Sequence, residues 1–131
     1  MKKKGTVLLV EDDAALSDAF SLMLTHNGYV VETAFNGQEA LEKLQHSQPD
    51  IILLDLLMPI MDGREFLRAF SNDRQIPIIV FSNLDAKSEV EEVMSLGATR
   101  YMLKAWATPS ELVRIIQDST AENAVTTTGR H

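Results

Sequence analysis

Short apolar runs alternate along the chain with stretches whose apolar residues recur every three or four positions. The run TVLLV, Thr6 to Val10, predicts a buried strand. Leu16, Ala19, Phe20, Met23 and Leu24 then follow helical spacing, and Gly28 stands where that helix would stop. YVVETA predicts a second strand, followed by a helix with Asn36 as cap and Ala40, Leu41 and Leu44 on one face. DIILLD predicts the third strand. Asp62 and Glu65 then form a capping-box pattern ahead of Phe66, Leu67 and Phe70. IPIIVFS predicts the fourth strand, with Val90, Val93 and Met94 as the next helical stripe. TRYMLK predicts the fifth. TPSE starts the last helix, with Thr108 capping, Pro109 at the first position and Leu112, Ile115 and Ile116 facing inward.

Five strand–helix units in series imply an α/β fold: a doubly wound, five-stranded parallel sheet, (βα)5 and flavodoxin-like. The first, third and fourth strands are nearly continuous apolar runs, as central strands are. The second and fifth carry Glu32, Thr33, Thr99 and Arg100, as edge strands can. That pattern fits the strand order 2-1-3-4-5, one of the two common doubly wound orders, whose ligand crevice lies at the carboxyl ends of the first and third strands. From about Asp118 the apolar period fades. Residues 1–118 are expected to form one domain, and 119–131 a polar, disordered tail.

Composition narrows the chemistry. With 131 residues and 45% hydrophobic content, the chain is long and apolar enough for a single core. A net charge of -7 argues against a nucleic-acid binder, which needs a basic face. It leaves carboxylates to spare for a divalent cation. The absence of cysteine excludes disulfides, thiolate metal sites and a cysteine nucleophile. The apolar run after the basic start is too short for a signal peptide or a membrane span. A soluble, cytoplasmic protein is expected.

The strand ends collect the reactive groups. The first strand ends in Glu11, Asp12 and Asp13, the third in Asp55, the fourth in Ser82 and the fifth in Lys104. Each has an ordinary explanation alone: acids favour a helix N-terminus, a serine suits a turn, and a lysine is usually solvated. Asp13 fits the cap role fully. An aspartate at the end of a buried run is harder to dismiss, because an unpaired buried carboxylate is strongly disfavoured. The doubly wound order brings all these ends to one edge, which the ordinary explanations do not anticipate. Hard carboxylate oxygens there suit Mg²⁺. A carboxylate beside a cation can act as a nucleophile towards phosphorus.

The motifs VLLVEDD, LLDLLMPIMDG, VFS and GATRYMLK, in this order and spacing, resemble the response-regulator receiver family of two-component signalling. The likeness spans roughly Thr6 to Gln117. It implies that Asp55 accepts a phosphoryl group from the phosphohistidine of a sensor kinase or phosphotransfer protein. It implies that Glu11, Asp12, Asp55 and the backbone carbonyl of Leu57 hold Mg²⁺ or Mn²⁺. Lys104 would pair with Asp55 and then with the phosphoryl group, Ser82 would move to bond it, and Tyr101 would rotate inward. The output implied is a reshaped surface of the fourth helix, fifth strand and fifth helix, read by a downstream protein. Either a monomer or a phosphorylation-dependent dimer fits, with no direct contact to nucleic acid or membrane.

Four positions depart from the family. Ala105 follows Lys104 where proline is usual, often through a cis bond. A cis bond to a non-proline costs about 2.5–4 kcal/mol. Either the site holds it cis at that cost, or the bond is trans and the loop differs. Asn83 stands beside Ser82 where a smaller residue is preferred. Leu57 and Leu84 flank the site where faster-hydrolysing members often carry polar residues, so a long-lived phosphoryl state is expected. Rival functions fit less well. An Mg²⁺-dependent aspartyl-phosphate phosphatase would want a second aspartate where Leu57 stands. A flavin or nucleotide binder would want a glycine-rich loop where three acids stand. A phosphorylation-independent interaction module would have no need of the intact set Glu11, Asp12, Asp55, Ser82 and Lys104.

Overall fold

A computed structural model describes residues 4–83, 87–106 and 108–128. Leu84 and residues 129–131 of the expected tail lie outside the described residues. The strands are β1 (Gly5–Val10), β2 (Tyr29–Ala34), β3 (Ile51–Asp55), β4 (Ile78–Ser82) and β5 (Arg100–Leu103). They pair in parallel in the order β2-β1-β3-β4-β5, as the apolar pattern predicts. Between and after them run α1 (Ala14–His26), α2 (Gly37–Leu44), α3 (Gly63–Ala69), α4 (Lys87–Ser95) and α5 (Pro109–Thr128). Every residue of β3 and β4 is buried, while β5 is half-buried throughout, which matches central and edge positions.

Strand alternation divides the interior into two cores. Leu8, Val10, Ile52, Leu54 and Val80 point to one side and meet Ala40, Leu44, Phe66, Leu67 and Val93 of α2, α3 and α4. Val7, Leu9, Ile51, Leu53, Ile79 and Phe81 point to the other and meet Phe20, Leu24, Leu112, Val113 and Ile116 of α1 and α5. Each fully buried aliphatic or aromatic side chain contributes about 1.5–3 kcal/mol. Truncating one, as in Leu54→Ala, costs about 2–5 kcal/mol.

The helices start where the caps put them. Asp13 Oδ1 accepts from the Leu16 N–H at 3.1 Å, Asn36 Oδ1 from Glu39 at 2.9 Å, and Thr108 Oγ1 from Glu111 at 3.1 Å. Asp62 and Glu65 close a full capping box on α3. Arg64 of that helix pairs with Glu89 and Glu92 of α4, tying the two helices together.

The structure corrects one expectation, on α4, and settles an open one. Helix α5 runs to Thr128, through part of the segment expected as a tail. Neither glycine nor proline interrupts Asp118 to Thr128, Ser119 is buried, and the Thr120 hydroxyl donates to the Ile116 carbonyl at 2.9 Å. On α4 only Val93 of the three stripe residues is buried, and Met94 is exposed. No peptide bond among the described residues is cis, so Lys104–Ala105 is trans. The chain leaves β5 in a 3-10 turn, Lys104–Trp106.

Candidate functional site

The parallel register sets the site. Asp55 lies opposite Phe81, and Ser82 opposite Leu103, so β3, β4 and β5 end nearly level. β1 ends one residue before Glu11, whose N–H bonds the Ala34 carbonyl of β2 at 3.0 Å. The first acid is thereby fixed at the edge of the sheet beside Asp55. Asp12, one residue on, is exposed.

Glu11, Asp12 and Asp55 each offer a carboxylate oxygen, all within 4.8 Å of one another. Lys104 crosses from the end of β5 to join them. Its Nζ is 2.8 Å from Glu11 Oε1 and 3.1 Å from Asp55 Oδ2. Glu11 is fully buried and Asp55 nearly so. Burial pushes both carboxyl groups above their ordinary range, more strongly than pairing with Lys104 pulls them down. The nearby Leu57 backbone also acts to lower the Asp55 pKa, and the charge of Asp12 acts to raise it. For Lys104 burial acts to lower the pKa, but Glu11 and Asp55 together outweigh it and hold the group above its usual value.

These donors fit a small hard dication. All are carboxylate oxygens, the kind Mg²⁺ and Mn²⁺ take. Glu11 Oε1 is buried, and the Lys104 ammonium meets it off the hydrogen-bond axis, so it lacks an aligned donor. Two buried acids with raised pKa values and a third at the mouth form a site that gains from added positive charge.

A family comparison covers residues 7–117, matched by the model of the response regulator receiver domain. The chain belongs to the receiver family of two-component response regulators. It is 37% identical over 110 residues to the response regulator MprA of Mycobacterium ulcerans (strain Agy99), a match covering 83% of this chain and 47% of that protein. The counterpart in Mycobacterium leprae (strain TN) is 38% identical over the same length, 48% of that protein. The chain thus spans about half the length of the curated relatives it matches. Among solved structures, the receiver domain protein (CheY-like) from Methanospirillum hungatei JF-1 superposes with a TM-score of 0.84 at 27% identity, covering 93% of this chain and 96% of that one. The chemotaxis response regulator CheY4 of Vibrio cholerae superposes with a TM-score of 0.79 at 32% identity, covering 90% and 98%. Receivers of this family work with sensor kinases and downstream effectors in signalling. Among the described residues no helix is long and apolar enough to cross a membrane.

The receiver edge brings together Glu11, Asp12, Asp55 and Lys104, from three places far apart in sequence. Ser82 is fully buried as the last residue of β4, one step beyond the partner of Asp55. Tyr101 lies lower, opposite Val80, and packs against the α2–α4 core. Leu57 is exposed, with relative exposure of 56%, at the mouth. Two contacts escape a reading of sequence alone. Lys104 meets Glu11 more closely than Asp55, and its Nζ stands over the Phe81 ring, 5.5 Å from the centroid. The length of a lysine stem at the end of β5 is the one signal for the first. The second had none beyond an aromatic residue on the strand next to Asp55.

Proposed function

We propose that this receiver accepts a phosphoryl group on Asp55 from a phosphohistidine of a sensor kinase or phosphotransfer protein, and signals by changing conformation. One observation carries the reading: a nearly buried carboxylate, Asp55, shares one strand edge with two further acids and a lysine ammonium.

An Asp55 carboxylate oxygen attacks phosphorus and forms an O–P bond while the P–N bond breaks. The bonding pair returns to the imidazole, which leaves neutral when its other nitrogen carries a proton. Such a transfer needs positioning and charge stabilisation on the equatorial oxygens more than covalent help. Lys104, with its Nζ 3.1 Å from Asp55 Oδ2, would supply positive charge to those oxygens. Ser82, at the end of β4, is the hydroxyl within reach once the group is attached. Glu11, Asp12, Asp55 and the Leu57 carbonyl are the candidate holders of Mg²⁺ or Mn²⁺. When bound, the cation would neutralise the acids and draw charge from the transferring oxygens.

The new charge on Asp55 would act as a local switch, with Ser82 and Tyr101 linking it to the α4–β5–α5 surface read by a downstream protein. This is self-phosphorylation and slow dephosphorylation rather than turnover of a separate substrate, in a cytoplasmic protein. Incubation with a small phosphodonor and Mg²⁺, followed by intact mass, tests the reading. Wild type gains one phosphoryl group and Asp55→Asn gains none. Equal gain in both removes Asp55 as the acceptor. No gain in either, with metal bound, favours a phosphorylation-independent interaction module.

A further inference from the structure

Among the described residues, the Lys104 ammonium meets two carboxylates, Glu11 and Asp55, and one partner of another kind. The third is the ring of Phe81. Phe81 is fully buried in β4, in register with Asp55, and its side chain belongs to the α1–α5 core. Phe20 of α1 meets that ring edge to face, with centroids 5.8 Å apart and planes at 65°. This neighbour limits how Phe81 can turn. The Phe81 ring is therefore a fixed surface under the ammonium, at a distance where an aromatic face attracts a cation.

The two kinds of partner behave differently. Glu11 and Asp55 can take up a metal ion or, at Asp55, a phosphoryl group. Each of those events changes the pull on Lys104. The Phe81 face can do none of these things, so its pull stays constant. A leucine or valine at this position would shield the lysine stem equally well but would offer no negative face.

We propose that Phe81 is a positioning residue, an aromatic platform that keeps the Lys104 ammonium aimed at the acids while their charge changes. Its importance for rate rests on the reading of Asp55 as phosphoryl acceptor; the platform contact itself does not. Lys104 touches the reacting group, and Phe81 acts through Lys104.

The test replaces Phe81 in the full chain with mono-, di- and trifluorinated phenylalanine by site-specific incorporation. Fluorine drains the negative face of the ring stepwise and changes its size little. Two quantities are measured: the rate of phosphorylation by a small phosphodonor with Mg²⁺, and the ring-current displacement of the Lys104 ε-methylene NMR signal. The logarithm of the rate should fall in step with fluorination, to about fivefold slower for the trifluorinated ring, with the melting temperature lowered by no more than about 4–8 °C. Phe81→Leu should lose at least as much rate and abolish the displacement. Phosphorylation that proceeds equally fast across the series overturns the proposal. A Lys104 signal that does not move in Phe81→Leu overturns it too. If wild type takes no phosphoryl group at all, the acceptor reading fails. The displacement then decides the platform by itself.

Discussion

Lys104 places its Nζ 2.8 Å from Glu11 Oε1, nearer than to the aspartate at the end of β3. The lysine therefore serves two carboxylates at once and spans the sheet edge from β5 to the loop after β1. It occupies part of the space in which a dication would act. Removing it should have opposite effects on stability and on metal binding.

Lys104→Met keeps the stem and deletes the charge. Without a cation, Glu11 and Asp55 are left as buried acids without their counter-ion, and stability falls by about 2–4 kcal/mol. Mg²⁺ then binds more tightly, because no ammonium competes for the same oxygens, and it restores much of the loss. Melting curves in chelator and in Mg²⁺, with a calorimetric Mg²⁺ titration, check this. An equal loss with and without Mg²⁺ would contradict it.

Asp55→Asn should stabilise the metal-free protein at neutral pH. Burial is the main reason that the Asp55 carboxyl sits above its ordinary value of 3.8, so the ionised form is worse off folded than unfolded. That penalty is absent below the unfolded value, builds as pH rises through the interval, and is complete above the folded value. The variant's advantage in melting temperature should be largest at neutral pH and shrink on acidification. Melting curves in chelator across that range test the sign. An advantage that grows as pH falls would defeat the argument.

Leu57→Gln should shorten the life of the phosphoryl group roughly tenfold, because a polar side chain at the mouth can orient an attacking water. Leu57 is exposed there and offers none of the needed hydrogen bonds. Loss of the label from Asp55 over time, in Mg²⁺, measures it. An unchanged half-life would locate the control elsewhere.

Gly63→Ala should damage both fold and site. A Cβ at Gly63 would lie 2.7 Å from the Asp55 carbonyl oxygen and 2.8 Å from Leu56 Cα, both backbone atoms that cannot swing away. The cost is about 1–3 kcal/mol of overpacking, read as a lower denaturation midpoint. The phosphorylation rate should fall with it. A variant as stable as wild type would show that β3 and α3 can separate.

The strands and their order are legible in the sequence because burial on both faces leaves continuous apolar runs such as Ile51–Leu54. The caps Asp13, Asn36, Asp62 and Thr108 are legible because capping is a local matter of residue type and spacing. The gathering of Glu11, Asp12, Asp55 and Lys104 follows once the strand order is known. Other features depend on contacts no spacing encodes. The burial of Ser119 and the bond from Thr120 to the Ile116 carbonyl are two of them. The trans Lys104–Ala105 bond depends on how the 3-10 turn closes. The Lys104–Phe81 contact depends on where a flexible lysine stem comes to rest.

The two cores give the sheet one further property. Lys104 rests on Phe81, which belongs to the α1–α5 side, whereas Tyr101 of β5, three residues earlier, packs into the α2–α4 side. The β-sheet is thus a bulkhead between the compartment that supports the acid cluster and the compartment that holds the tyrosine. If Ser82 and Tyr101 act as the proposed switch, the link between the two compartments would run over the end of β4 and not through the packed hydrocarbon. Substitutions deep in either compartment would weaken the hull without altering that passage.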